Sequence, residues 1–325
     1  MKAGKTETLW GGTLEQQMDA YTVGDDRRWD RRLLTWDIVG TLGHIEGLRA
    51  AGLLSTVEHS RLEAALRRAL ALVRAGKLDV TETDEDVHSA IEKYLTHKLG
   101  KLGEKVHAGR SRNDQVMVDL RLFLKDRLLE LTDALLDVAE QLASWAGRHR
   151  EVIWPGYTHG RRAMPSTAGL WAAGYAESLL DDFVPLEAAW QLVDRSPLGS
   201  AAGYGVPLPL DRERVARKLG FAGVHGNVTA VQSSRGKLEV VVLGALWGVG
   251  YDLGKFAWDV ILFSSEEYGF LQLPESLATG SSIMPHKRNP DVFELTRAKA
   301  SLLEGYLVQA MAVAGKLPSG YHRDL

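Results

Sequence analysis

The chain has no cysteine among its 325 residues, which excludes disulfides, thiolate zinc sites and cysteine nucleophiles at once and suits a reducing cytoplasm. It also lacks an excess of either charge. The 39 Lys plus Arg against 42 Asp plus Glu leave a formal net charge of -3, so nothing draws the chain as a whole to nucleic acid or to an anionic membrane. No apolar leader opens MKAGKTETLWGG, and the most apolar run, VVVLGALWGVGYDLGKF, meets Asp252 and Lys255 too soon for a span of ~20 residues. There is no H-E-x-x-H, no P-loop and no G-x-G-x-x-G after a strand, so neither a metal nor a nucleotide cofactor is indicated. Internal repeats and low-complexity linkers are missing too. What remains is 45% hydrophobic and 25% charged, the balance of a soluble globular chain with room for one large domain or two to three moderate ones.

Strand-like alternation is scarce, and most apolar residues recur at helical spacing. Ser55 with Glu58 three residues on predicts a capping box, after which Leu62, Leu66, Leu70 and Val73 share a face until Gly76 ends the helix. From about Asp114 to Arg148 apolar residues repeat without a proline, several times the mean helix length of ~11–12 residues, and such length signals a bundle. Further long helical stretches are predicted at about Thr167 to Val193, Lys237 to Ser265 and Asp291 to Lys316. They are apolar on more than one face, so helices on several sides, other subunits included, are expected to cover them. A boundary is expected near residue 112, with a mixed, mostly helical N-terminal domain over 1–112 and a long-helix bundle domain over 113–325.

The chemistry is expected in the polar loops between these helices. In the loop from Gly280 to Asp291, small residues let backbone N–H groups approach an anion, Lys287 adds charge and Asn289 adds donors. That composition suits a carboxylate-binding loop, and it also suits a loop that merely caps the next helix. Around His159, the crowding of Thr158, Arg161 and Arg162 fits an anionic ligand better than a core, and Ser166 can cap the helix that follows. In HAGRSRND, Arg110, Ser111, Arg112 and Asn113 bring guanidinium, hydroxyl and amide groups to the start of the longest helix, whose N-terminus favours an anion; a solvated cap is the plainer alternative. His88 and Glu92 lie one turn apart and suit a surface ion pair.

These loops together resemble a known family. GSSIMPHKRNPD is similar to the signature of the fumarase/aspartase superfamily. LWGG (9–12), DEDVHSAIE (84–92), HAGRSRNDQV (107–116), PGYTH (155–159) and PLGSAAG (197–203) resemble the argininosuccinate lyase family within it. The likeness runs over residues 9–325, and HAGRSRND is what singles out that branch. The resemblance implies an all-α, fumarase/aspartase-like long-helix bundle whose central helices form a tetrameric core, each active site being built from three subunits. It implies a reversible β-elimination splitting argininosuccinate into arginine and fumarate without metal or organic cofactor. Ser281 is then the base, with Lys287 and Asn289 beside the substrate carboxylate. Thr158 and His159 are the threonine–histidine pair, and Glu294 orients the histidine. Ser111, Arg112, Asn113 and Tyr321 become substrate contacts; Ser282, His88 and Arg161 are further candidates from the chain's own residues.

The physical chemistry fits those roles. Removing a proton beside a carboxylate places a second negative charge on an anionic group, so donors must stabilise a dianion, at on the order of 3–4 kcal/mol per well-placed donor. Serine is a weak base unless a closed, dry loop favours its alkoxide. His159 either binds the other carboxylate or protonates the leaving nitrogen. Three positions depart from the family: Gly160-Arg161 stands where Leu-Gln is usual, Asp26 where a serine is common, and NVTAVQSSRGK lacks the acidic residues of its counterpart. A sibling lyase acting on another N-substituted aspartate would suit Arg161 and Asp26, and a silent, crystallin-like structural homologue is the rival from outside enzymology. The chain is also shorter than the family's subunits, so part of the bundle and the small C-terminal domain are expected to be missing.

Overall fold

The computed structural model describes residues 16–325. The helices follow the apolar periodicity. In chain order they begin with α1 (Gln16–Val23), α2 (Asp26–Asp30), α3 (Leu34–Ala50), α4 (Thr56–Arg74), α5 (Val87–Leu99), α6 (Lys101–Glu104) and α7 (Arg112–Arg148). A hairpin of β1 (Ile153–Thr158) and β2 (Arg161–Thr167) leads into α8 (Ala168–Asp181), α9 (Phe183–Val193), β3 (Arg195–Ser196), α10 (Arg212–Lys218), β4 (Gly223–Val224) and α11 (Val228–Ser233). The chain continues through α12 (Lys237–Phe263), β5 (Thr279–Gly280), β6 (Arg288–Asn289) and α13 (Asp291–Ala314). The all-α expectation therefore holds, with three two-stranded ladders as its exceptions.

Local signals account for the helix ends. Ser55 accepts from Glu58 N–H while the Glu58 carboxylate takes Ser55 N–H, the predicted capping box. At the other end of α4, Gly76 at φ +65° donates to Val73 and Lys77 to Leu72, a Schellman stop. The stretch predicted as one helix from Thr167 to Val193 divides at Asp182. Pro185 cannot donate its missing N–H to the preceding turn, so it belongs in the first turn of a new helix. Thr167, not Ser166, caps α8, its hydroxyl accepting from Leu170 N–H at 3.0 Å; Ser166 is a strand residue opposite Trp154.

Two compact units emerge. The first comprises the described residues up to Asp126 together with Val193–Arg235 and Pro318–Arg323; the second comprises Arg127–Leu192, Gly236–Leu317 and Asp324–Leu325. They part within α7, whereas residue 112 marks its first turn. In the first unit, Leu34, Ile38, Ile45 and Leu48 of α3 pack with Leu62 and Leu66 of α4 and Ile91 and Leu95 of α5. Gly43 lets α10 come close, since a Cβ there would sit 2.5 Å from Leu219. In the second unit, α12 lies along α13, and Gly250 permits the approach because a Cβ would meet Leu303 at 2.7 Å. Trp154, Ala168 and Phe263 anchor an aromatic cluster with Trp145, Trp171, Tyr268 and Phe270 beneath the β1–β2 hairpin.

By length and composition α12 could cross a membrane. It is also the helix that carries Asp252 and Lys255 and packs on α13 and α8. Its partner α13 has no buried residue within the chain, and Leu295, Leu302, Tyr306, Val308 and Met311 are exposed along it.

Asp182, at the α8–α9 break, is 7% exposed and faces α12, where a Cβ on Gly248 would meet its Oδ1 at 2.9 Å. Burial, then the charges of Asp252 and Asp181, push its carboxyl up to about 6. The folded state therefore holds this proton more tightly than the unfolded chain. The associated stability is present at acid pH and is lost as pH rises through about 6. Asp182→Asn should gain thermal stability relative to the parent as pH rises through that range, and melting curves across it should show the gap opening. A pH-independent gap would contradict the assignment.

Candidate active site

Three of the sequence motifs converge in the first unit. Asp114, in the first turn of α7, accepts through Oδ2 from Gly199 N–H at 3.1 Å and Ala201 N–H at 2.8 Å, and through Oδ1 from Ser111 N–H at 3.1 Å. One buried carboxylate thus ties PLGSAAG to HAGRSRND. Ala201 sits at φ +48°, and Arg212 closes the turn from outside by donating to the Leu198, His225 and Gly226 carbonyls. DEDVHSAIE joins through Asp86. Its Oδ1 caps α5 by accepting from Ser89 N–H at 2.8 Å, and its Oδ2 meets Arg112 Nη1 at 2.8 Å, with Glu85 at 3.0 Å from the same nitrogen. Ser111, Arg112 and Asn113 are half-buried at this junction.

The two arginines do not lie free for an anion. Arg110 is buried and donates to Thr41 Oγ1 at 2.8 Å, and Arg112 is held by Asp86 and Glu85. His88 is corrected more sharply. It is neither a surface partner of Glu92 nor open to ligand: it is 5% exposed, its Nδ1 is 2.8 Å from Asp37 Oδ1, and Asp119 Oδ2 stands at 3.6 Å. Among the described residues Asp37, His88 and Asp119 form the one group of histidine and carboxylate side chains close enough to share a cation, all within 4.8 Å. Asp37, Asp114, Gln115 and Asp119 are buried polar residues to which the motifs assign no role. The signal for them was polar residues at core-facing positions of apolar helices.

In the second unit, what reads as a loop from Pro155 to Pro165 is the β1–β2 hairpin, with Thr158 opposite Arg161. The two-residue turn is His159-Gly160, both at positive φ (55° and 66°), which is type I′ geometry. Glycine adopts that turn without strain, and His159 stands at its exposed tip with Arg161 exposed beside it. Below the tip an open cleft of about 360 Å³ is lined by Tyr157, Thr158, His159, Trp171, Asp259 and Tyr268, among others. Trp171 Nε1 and Tyr175 Oη donate to Asp259 Oδ2 at 2.9 and 2.7 Å.

The signature loop is a second, smaller ladder. Thr279 and Gly280 pair with Asn289 and Arg288, and Thr279 Oγ1 donates to Asp291 Oδ2 at 2.6 Å. Within it, Ser281 Oγ accepts from Met284 N–H at 3.2 Å and Ile283 N–H at 3.4 Å. Both donors favour negative charge on that oxygen. Ser282 and Lys287 are exposed and Asn289 is half-buried. Glu294, in the first turn of α13, is exposed, and no hydrogen bond or ion pair joins it to His159 within the chain. Tyr321 belongs to the first unit, where the Arg235 guanidinium lies 4.5 Å from its ring centroid. Arg323 next to it donates to the Thr22 carbonyl at 2.9 Å and attracts Asp26. The LWGG motif lies outside the described residues.

Comparison with known proteins agrees with these motifs. The profile of a family described as lyase matches residues 12–305. The chain is 50% identical over 319 residues to the argininosuccinate lyase of Sorangium cellulosum, covering 98% of itself and 74% of that protein. It is 46% identical over 321 residues to that of Parabacteroides distasonis, covering 98% and 72%. Among solved structures, an EDDS lyase in complex with formate superposes with a TM-score of 0.78 at 25% identity, over 99% of this chain and 63% of that one. With the motifs, the fold and these identities in agreement, the chain belongs to the argininosuccinate lyase family of carbon–nitrogen lyases, within the fumarase/aspartase superfamily.

Proposed function

We propose that this chain assembles as a homotetramer and cleaves argininosuccinate to arginine and fumarate with Ser281 as the base. The observation that carries the assignment is the pair of backbone N–H groups aimed at Ser281 Oγ from the signature loop. As alkoxide, that oxygen takes the proton from the carbon beside the substrate carboxylate. The electron pair left behind forms the fumarate double bond, and the C–N bond breaks as the nitrogen leaves and gains a proton. Lys287 and Asn289 hold the carboxylate on which the second negative charge develops. His159 at its hairpin tip faces the other carboxylate or the leaving nitrogen, with Thr158 beside it, and Arg161 adds positive charge for an anionic substrate. Ser111 and Asn113 bind substrate from the α7 N-terminus, Arg112 holds that segment to Asp86, and Tyr321 on Arg235 receives the guanidino end.

Within the second unit His159 and Glu294 are both exposed, with no hydrogen bond or ion pair joining them, which supports an orienting bond supplied between subunits. Trp247, Tyr251, Trp258 and Leu262 on α12, with Leu295, Leu302, Tyr306 and Met311 on α13, are exposed large hydrophobics of the kind that soluble monomers cover. A bundle of these helices from four subunits buries them and carries the site residues to the bundle's ends.

Three outcomes follow. Fumarate, followed by its ultraviolet absorbance, should form from argininosuccinate and not from malate or adenylosuccinate; faster turnover of either control would place the chain in a sibling branch. Ser281→Ala should lower kcat by at least ~10²-fold with KM little changed, and near-normal turnover would move the base to Ser282. Light scattering should give the mass of a tetramer, and a stable monomer would contradict the shared site.

A further inference from the structure

The first unit contains a charged cluster that the elimination does not use. Asp37 of α3 and Asp119 of α7 are fully buried, and His88 of α5 and Gln115 of α7 are nearly so. His88 Nδ1 lies 2.8 Å from Asp37 Oδ1, and Gln115 Nε2 donates to the same oxygen at 2.6 Å. Asp119 is different: its nearer oxygen is 3.6 Å from His88 Nδ1, and neither of its oxygens has a hydrogen-bond partner. Two ionised carboxylates this close in a closed interior repel each other strongly, and a solitary imidazolium between them satisfies one. Asp37 has taken it. Its second oxygen, Oδ2, is also unpartnered and is an acceptor in want of a donor.

We propose that Asp119 is held as a neutral carboxylic acid whose proton bridges to Asp37, and that the resulting Asp119–Asp37–His88 chain is a positioning device for the substrate segments at the starts of α5 and α7. Gly40 leaves room for the contact, since a Cβ there would stand 3.1 Å from Asp119 Oδ1. The device grips both segments. His88 lies two residues from Asp86, which caps α5 and holds Arg112, and Gln115 lies two residues from Asn113. One turn along α3 from Asp37, Thr41 holds Arg110, the residue before Ser111.

The field around the cluster agrees with this division of charge. Burial and then Asp37 hold the Asp119 carboxyl well above the usual carboxylate range. Burial would also raise Asp37, but His88 first and then Arg110 bring it below its usual value. Burial would lower His88, and Asp37, with smaller contributions from Asp86 and Asp30, raises it instead. A divalent cation would have to enter beside both the imidazolium and the Arg110 guanidinium. A proton meets no such repulsion. A cavity of about 10 Å³ beside Asp37, His88, Glu92 and Arg110 has room for one water at most.

The kinetic half of this inference rests on Ser111 and Asn113 contacting substrate, whereas the protonation half does not. Infrared difference spectra of the full chain at neutral pH, parent minus Asp119→Asn, should show the carbonyl stretch of a protonated carboxylic acid that shifts in heavy water. In steady-state kinetics Asp119→Asn, which mimics the neutral acid, should keep KM and kcat close to the parent's. Asp37→Asn, which removes the charge that holds His88, should raise KM by about tenfold or more and lower the melting temperature, while oligomer mass changes little. Absence of the acid band would overturn the proposal. So would an Asp119→Asn protein as impaired as Asp37→Asn, or tight uptake of Zn²⁺ by the parent that Asp119→Asn abolishes. If no variant and no parent turns over argininosuccinate, the functional reading fails, and the infrared band still decides the buried proton.

Discussion

The bond between His88 and Asp37 is the constraint around which the first unit is arranged. Two ionisable side chains in a fully closed interior each cost several kcal/mol of desolvation, and removing one partner from such a pair typically costs ~3–5 kcal/mol because the other is left charged and alone. Such a pair permits few geometries. It fixes α5 against α3, and through Gln115 it fixes the first turns of α7 against both. Everything that HAGRSRND presents to solvent is therefore placed from beneath by buried charge. Arg110 and Arg112 belong to the same framework: one is spent on Thr41, the other on Asp86 and Glu85.

The second unit holds its chemistry in the opposite way. Thr158, His159, Ser282, Lys287 and Glu294 are exposed, on a hairpin tip, a short ladder and the first turn of a helix. Donors around an oxyanion are worth most where water is excluded, so the proposed function requires this exposed loop to be covered. The uncovered apolar faces of α12 and α13 lie on the helices that precede and follow this loop in the chain. In the proposed tetramer, assembly and catalysis are one requirement.

Legibility in the sequence followed the range of the forces involved. The long helices could be read because their pattern repeats many times, and the start and stop of α4 because a capping box and a glycine stop act within a few residues. The β1–β2 hairpin was missed: its strands contain prolines and a register shift between Pro155 and Tyr157, which break the alternation that marks a strand. The His-Gly turn at its tip was the remaining clue. The division at Asp182 was hidden because helical periodicity runs across it, although Pro185 marked it. His88 was misread because spacing along one helix shows Glu92 as its neighbour, while Asp37 and Asp119 arrive from residues 51 and 31 positions away in the chain. The signature loop was readable as a motif, but the two N–H groups directed at Ser281 Oγ exist only in its folded turn.

Proton removal by Ser281 is tested most directly by the fate of one hydrogen. Argininosuccinate incubated in heavy water with the Ser281→Ala protein, at a concentration that saturates it, is followed by proton NMR at the carbon beside the carboxylate that becomes part of fumarate. The predicted result is a substrate that binds and keeps both that hydrogen and its C–N bond, while the parent protein converts it to fumarate and arginine. Deuterium entering the substrate in the Ser281→Ala protein would contradict the assignment, because another group would then be removing the proton.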